Sequence, residues 1–213
     1  MVEISLERAA ICMDLASLID SLKTRNLQLQ DARGQLAEQA AIDEMTGLRN
    51  CRGVNIIIND ELARMKLMQL PIAVIALDVD HFKTYNDNYG HPAGDQVLLQ
   101  LANVMLEMTS RAGEFAARMS GEEFVLFYAT VNRTAALELA EELRMKVLGL
   151  KIPHEKSLTA EYVTVSIGAI SCVPDWELEL DALLNAADDA LYLSKTNGRN
   201  RVTCEELEAD VQS

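Results

Sequence analysis

The chain has 213 residues and a formal net charge of −14, from 19 Lys and Arg against 33 Asp and Glu. That length holds one full α/β domain of about 150 residues plus an appendage, and leaves no room for two large domains. The acidic excess argues against a nucleic-acid backbone or an anionic membrane as partner, so any phosphate ligand must be met by local cations or by metal. The four cysteines, Cys12, Cys51, Cys172 and Cys204, show neither Cys-x-x-Cys nor zinc spacing and imply free thiols in a reducing compartment. No apolar run approaches the roughly 18 residues of a membrane span, and Glu3, Glu7 and Arg8 interrupt the place of a signal peptide. The expectation is a soluble, cytoplasmic chain.

From Met1 to about Ala41 there is no proline and one glycine, Gly34. Leu15, Leu22, Leu29 and Leu36 fall seven apart, with Ile4, Ile11 and Leu18 as a companion seam. Arg8, Arg25 and Gln39 break the pattern. Residues 1–42 are expected to form a coiled-coil signalling helix; one amphipathic helix packed on its own domain is the alternative. The stretch Asp43-Glu44-Met45-Thr46-Gly47-Leu48-Arg49-Asn50 has the turn residues of a hinge and sets the domain boundary. The main domain then runs over 43–204, with an acidic tail at 205–213.

Within that domain the pattern predicts a helix near Val54 to Met68 and a strand from Pro71 to Asp78, whose near-continuous apolar run suits a buried central strand. A helix follows at about Gly94 to Thr109. Phe115 to Met119 and Glu123 to Tyr128 read as hairpin arms around a Ser120-Gly121 turn. Ala135 to Leu148 reads as helix, Tyr162 to Ser171 as strand, Leu180 to Lys195 as helix and Asn200 to Cys204 as a last strand. Interleaved in this way, the elements suggest an α/β (α+β) ferredoxin-like βαββαβ sheet covered by helices.

Two carboxylate groups stand where such a sheet places sites. Asp78-Val79-Asp80 ends the central strand, and Glu122-Glu123 follows the hairpin turn. Carboxylates crowd only at a cost unless a cation sits between them, and a hard divalent ion such as magnesium prefers oxygen ligands. If the hairpin lies beside the central strand, Asp78 and Glu122 could grip one metal from two sides. Ser120 and Gly121 are small enough to let a phosphate approach the backbone. Each residue has a plainer reading. Asp78 or Asp80 could cap a turn, and Asn86 could be a turn residue and His91 a loop hydrogen-bonder. Lys195 and Arg199 could complement a helix dipole, with Gly198 as its cap. Tyr192, Leu191, Phe124 and Phe127 read as core. Hydrolase signatures such as His-Glu-x-x-His or Gly-x-Ser-x-Gly are absent from the sequence.

Taken jointly, four ordered motifs resemble the GGDEF diguanylate cyclase family over about Asp43 to Cys204. They are Asp43-x-x-Thr46-Gly47-Leu48-x-Asn50; Asp78-Val79-Asp80-His81-Phe82-Lys83-x-x-Asn86-Asp87-x-x-Gly90-His91-x-x-Gly94-Asp95; Ser120-Gly121-Glu122-Glu123-Phe124; and Ala187-Asp188-x-Ala190-Leu191-Tyr192-x-x-Lys195-x-x-Gly198-Arg199-Asn200-Arg201. The resemblance implies a palm-like catalytic domain binding one GTP and joining two GTPs into cyclic di-GMP with loss of two pyrophosphates. It implies Mg2+ (or Mn2+), with Asp78, Glu122 and the Val79 carbonyl as ligands. Phe82, Lys83, Asn86, His91, Asp95, Gly121, Lys195 and Arg199 are implied on the substrate, with Asn86 and Asp95 reading guanine and Lys83, Lys195 and Arg199 meeting phosphate. Glu122, with Lys83 and Glu123, is implied in catalysis, Glu122 as proton acceptor.

Two departures stand out. Ser120 replaces the first signature glycine, and the family's inhibitory Arg-x-x-Asp reads Arg111-Ala112-Gly113-Glu114, which makes product inhibition there doubtful. Two half-sites must face each other to make a two-fold symmetric product, so the expectation is a homodimer tethered by the N-terminal helix, with a possible upstream sensor domain. The competing reading is a catalytically silent module that binds GTP or cyclic di-GMP and regulates a partner.

Overall fold

The computed structural model describes residues 41–207 together with Lys23 and Arg25. The chain divides into two units, Met1–Ala40 and Ala41–Ser213, and the sheet lies wholly in the second. The leucine seam expected to form a coiled coil falls outside the described residues, as does the tail from 208 onward.

Strand β1 (Arg49–Asn50) runs straight into α1 (Cys51–Met68), whose first turn is capped by the Asn50 side chain accepting from Gly53 N at 3.0 Å. Next come β2 (Ile72–Val79), α2 (Phe82–Tyr89) and α3 (His91–Met108). The hairpin of β3 (Glu114–Ser120) and β4 (Glu123–Ala129) leads to α4 (Arg133–Gly149), then β5 (Val165–Cys172), α5 (Leu180–Thr196) and β6 (Val202–Glu206). In space the strands order β1-β3-β4-β2-β5-β6. β2 is antiparallel to β4 and β5, while the two edge pairs are parallel. This is the expected βαββαβ sheet with extra elements.

The pleat sorts β2 between two cores. Ile72, Val74 and Ala76 pack with Val54, Ile58 and Leu62 of α1 and Leu183 and Ala187 of α5. Ala73, Ile75 and Leu77 pack with Val97, Leu98 and Leu101 of α3 and Ala140 and Leu143 of α4. Helices therefore cover both faces, which is why the strand reads as an unbroken apolar run despite antiparallel neighbours. Ile75 and Leu77 are both 0% exposed, and truncating either to Ala should cost about 2–5 kcal/mol. That rigidity matters because the next residue in β2 is Asp78.

Several elements differ from the sequence expectation. α2 had no counterpart in it, and α3 begins at His91 where Gly94 was expected. Ser120 belongs to β3, so the hairpin turn is Gly121-Glu122. Glu205 and Glu206, assigned to the tail, pair with Ile170 and Ser171. Tyr192, expected in the core, is 66% exposed, because the step of one residue along α5 from buried Leu191 turns it out toward solvent. Among the described residues, no helix is long and apolar enough to cross a membrane.

Candidate active site

Register places Asp78 directly opposite Glu123 on β4. Like charges in paired positions repel, and Glu122 in the adjoining turn adds a third. Burial pushes the Asp78 carboxyl above its ordinary range; the Lys195 ammonium opposes this, and the charges on Glu122 and Glu123 push it further up. Lys195, in the last turn of α5, brings Nζ to 2.9 Å of Asp78 Oδ2. Two turns earlier on that helix, Asp188 is also raised, by burial and then by the Glu123 charge. The Lys195 ammonium thus acts on Asp78 and Asp188, while the hairpin carboxylates raise the same two groups, Glu122 and Glu123 acting on Asp78 and Glu123 on Asp188.

Hard oxygen donors in such excess of negative charge suit a divalent cation of the magnesium type. Among the described residues, no three of His, Cys, Asp and Glu stand close enough to hold an ion unaided. That also suits magnesium, which keeps waters and substrate phosphates in its shell and takes one or two carboxylates from the protein. Asp78 and Glu122 could supply those two, with the Val79 carbonyl beside them.

The hairpin turn is fixed from the start of the domain. Arg118 on β3 donates from Nε to Gly121 O at 2.8 Å and from its guanidinium NH1 to Asp43 Oδ1 at 3.3 Å. Asp43 in turn accepts from Thr46 N at 2.9 Å and Thr46 Oγ1 at 2.6 Å. Burial raises the Asp43 carboxyl, but the Thr46 hydrogen bonds and the Arg118 charge outweigh it and hold the group below its usual value. Gly121 takes φ +39, left-handed backbone that costs a glycine little. Ser120, where the family has glycine, donates from Oγ to Glu123 Oε2 at 2.5 Å. The serine therefore leaves the turn intact and orients a carboxylate.

On the other side of β2, Phe82 and Tyr85 bury one face of α2 and leave Lys83 exposed. Asn86 Oδ1 is buried without a hydrogen-bond donor. It rests on Gly94, where an added Cβ would lie 1.9 Å away, so glycine is required there for α2 and α3 to meet. His91 and Asp95 are exposed and one turn apart on α3, hence on one face. The exposed Asp95 carboxylate can accept N–H groups from a ligand, and Asn86 would join it once its side-chain amide turned away from Gly94.

Asp80 took the plainer of its two readings in an unexpected form. It is 1% exposed and accepts from Thr164 Oγ1 and Ser166 Oγ, both at 2.7 Å, and from Asn200 N at 3.0 Å. The Arg199 Nε lies 4.0 Å from its Oδ1. Asp80 thus ties β2 to β5 and to the turn after α5, where Arg199 and Asn200 have φ of 62° and 46°. Asn197 ends α5, and Gly198 follows it with φ +112 while Arg199 N donates back to Ser194 O at 3.0 Å, so the glycine does close the helix end as the plainer reading had it.

With those motifs gathered around one strand end, the similarities to known proteins are decisive. Residues 40–201 match the family model described as diguanylate cyclase, GGDEF domain. The chain belongs to this family.

The GGDEF domain is 35% identical over 167 residues to the response regulator PleD of Caulobacter vibrioides, covering 78% of this chain and 36% of PleD. It is 36% identical over 176 residues to diguanylate cyclase A of Treponema denticola, covering 79% and 45%. The chain thus spans less than half the length of these curated relatives. Among solved structures it resembles the coiled coil and GGDEF domain of DgcB from Caulobacter crescentus in complex with c-di-GMP, with TM-score 0.72 and 30% identity over 89% of this chain and 98% of that one. The active GGEEF domain of a Vibrio cholerae diguanylate cyclase matches with TM-score 0.59 and 30% identity over 70% and 92%.

The GGDEF domain keeps Arg111 and Glu114 apart from the cluster around Asp78. They lie at the opposite end of β3 from the turn, about 20 Å along a seven-residue strand. Glu114 Oε2 accepts from Arg111 N at 3.1 Å, so its carboxylate is folded onto its own turn. The adjoining cavity of about 470 Å³ is lined by Arg111 and Lys146 but also by Glu107, Glu114, Glu138 and Glu142. Burial, then the Glu114 and Glu142 charges, raise the Tyr128 hydroxyl beside it. Asp188 and Arg118 were not singled out from the sequence as site residues, and Asp80 was weighed only as a strand-end carboxylate beside Asp78. Only Asp188 left a signal, seven residues before Lys195 and so on the same face of α5.

Proposed function

We propose that this chain is an active diguanylate cyclase, condensing two GTP into cyclic di-GMP with release of two pyrophosphates. The observation that carries this reading is the crowding of Asp78 with Glu122 and Glu123 at a buried strand end, offset among the described residues by Lys195. Such a cluster is unfavourable by itself and favourable around a cationic ligand set. When bound, magnesium or manganese would hold the triphosphate against Asp78, Glu122 and the Val79 carbonyl and stabilise charge on the leaving pyrophosphate.

The chain's own groups do the rest. The first turn of α2, Phe82 and Lys83, meets the phosphates through backbone N–H groups and an ammonium. Lys195 and Arg199 approach from the end of α5, and Gly121 lets the hairpin turn come close. Asn86 Oδ1 and the Asp95 carboxylate accept from the guanine N–H edge, which an adenine lacks, so adenine would leave them unpaired. His91 flanks the nucleotide. Glu122, aided by Glu123, takes the proton of the attacking 3′-hydroxyl. The 3′-oxygen then bonds the α-phosphorus of the facing nucleotide as that phosphorus loses its bond to pyrophosphate, and the reciprocal step closes the ring.

One domain holds one nucleotide, so two copies must face each other. A homodimer joined through residues 1–42 would supply that encounter, and a sensor domain upstream would control it. A cytoplasmic location follows from a nucleoside triphosphate substrate.

The test is incubation with GTP and magnesium at several protein concentrations, followed by chromatography of the nucleotides. Cyclic di-GMP should form, with a rate per molecule that rises with concentration, and should vanish in Glu122→Gln while its thermal midpoint does not fall below that of the wild type. GTP binding by the wild type without turnover would instead establish the silent regulatory module.

A further inference from the structure

Helix α2 is short and rich in Asn, Asp, Thr and Tyr, all indifferent helix formers, so something outside it must hold it in place. The chain between α4 and β5 does so. Residues 151–163 form a small arm, closed by the Pro153–Tyr162 bridge and by hydrogen bonds from His154 N to Glu161 O and from Val163 N to Ile152 O, each 2.8 Å. The arm grips α2 at both ends. At the far end, Glu155 N donates to the Tyr89 hydroxyl at 3.1 Å. At the near end, Thr159 Oγ1 lies 3.0 Å from His81 Nε2, and His154 Nε2 lies 3.3 Å from the His81 carbonyl oxygen.

His81 is where α2 is aimed. It takes φ 56° and ψ 30°, left-handed backbone that costs a residue with a β-carbon roughly 1–2 kcal/mol, and its side chain makes no cap for the helix. Its carbonyl accepts the first helical bond from Tyr85 N at 3.0 Å, and the bond from His154 fixes the same peptide from another direction. A carbonyl oxygen only accepts, so His154 Nε2 carries a proton and donates it, which leaves Nδ1 as the ring's other nitrogen. That Nδ1 has no partner, and the ring is 1% exposed, edge-on to Tyr85 with centroids 5.2 Å apart. An unsatisfied ring nitrogen in the interior costs free energy that a plain aromatic ring would avoid. Packing alone therefore does not account for a histidine at this position.

We infer that His154 is a positioning residue for the nucleotide: its Nε2–H bond to the His81 carbonyl holds the left-handed turn that aims Phe82, Lys83 and Asn86 at the substrate. The inference rests on the reading of this domain as a GTP-using cyclase. His154 touches no reacting atom and acts only through the turn. Losing the donor lets the first turn of α2 relax and weakens contacts shared by ground state and transition state, which raises KM and spares kcat.

Two variants separate the donor from the ring. His154→Phe keeps the volume and the edge contact with Tyr85, whereas His154→Gln returns an amide N–H to about the position of Nε2. KM for GTP should rise about tenfold in the Phe variant, with kcat within about twofold of wild type. Its thermal midpoint should be unchanged, and the Gln variant should recover the wild-type KM. A folded His154→Phe with wild-type KM overturns the inference, and so does a Gln variant as weak as the Phe one. Should His154→Phe not fold, His154→Asn, whose amide stops short of the carbonyl, takes its place with the same expected rise, and an unchanged KM overturns the inference equally. A wild-type chain that makes no product overturns the cyclase reading instead. The inference is then read from the Kd for magnesium-GTP, which should weaken by the same factor in His154→Phe. A wild-type chain that binds no GTP overturns both.

Discussion

Replacing Asp80 with alanine should loosen the candidate site from beneath without removing any group proposed to meet the nucleotide. The carboxylate is 1% exposed and accepts two hydroxyl hydrogen bonds at 2.7 Å and one backbone bond at 3.0 Å. Alanine leaves Thr164, Ser166 and the Asn200 amide as donors without an acceptor. Each buried donor so stranded costs about 1–3 kcal/mol, partly offset because a buried charge is also removed. A net loss of about 3 kcal/mol is expected. For a domain of this size that is a fall of about 6–12 °C in Tm, at about 2–4 °C per kcal/mol. Asp80→Asn keeps one acceptor oxygen and should lose about half as much.

Calorimetry of the nucleotide-free protein at pH 7 and fixed concentration reads this directly, and the KM for GTP should rise with it because the Arg199-Asn200 turn loses its anchor. A Tm for Asp80→Ala within about 2 °C of wild type would refute the reasoning, since it would mean that the three donors find other partners at no cost.

Two further outcomes follow from the charges. Asp78 has a folded-state pKa raised above its ordinary 3.8, so the favourable effect of its protonated form is fully present below pH 3.8 and is lost as pH rises through the raised value. Asp78→Asn should therefore raise the Tm of the nucleotide-free protein at pH 7, abolish turnover, and lose its stability advantage in scans below pH 3.8; a lower Tm at pH 7 would contradict this. Product inhibition through Arg111 should be absent, because the adjoining cavity carries four carboxylates and Glu114 is turned onto its own loop. Added cyclic di-GMP should leave the initial rate unchanged in wild type and in Arg111→Ala alike, and inhibition that the substitution relieves would overturn the point.

What could be read in advance divides by the range of the interactions involved. β2 was legible because helices on both faces make Ile72 to Leu77 uniformly apolar, a local signal. α2 was not, since Phe82, Tyr85 and Tyr89 are its only apolar residues and its helicity is imposed by the 151–163 arm and by burial of two rings. Asp78 and Asp80 were indistinguishable as residues flanking Val79. The chain leaves the sheet after Val79, and Asp80 then finds Thr164, Ser166 and Asn200, partners 84 to 120 positions away. Glu122 and Lys195 were named by motif, whereas the ion pair of Lys195 with Asp78 depends on α5 ending beside β2. The plainer reading of Lys195, as a cation complementing a helix end, is also satisfied, because it does occupy the last turn of α5.

The site is assembled from two kinds of residue, and the division explains how an acidic chain can prepare a place for a triphosphate. The proposed chemistry would sit on groups left at least partly open, Lys83, Glu122, Glu123, Asp95 and His91. Their positions are set by polar contacts in or near the interior: Asp80 under the end of β2, Asp43 with Arg118 under the hairpin turn, and His154 behind α2. Those anchors are needed because the open groups repel one another. With Lys195 the nearest counter-charge to Asp78, the carboxylates would spread if the strand end and turn were free to move. Held together, they keep an electrostatic deficit that, on the proposed function, a metal-bound nucleotide would relieve, so the free energy lost in the empty domain would return as binding affinity.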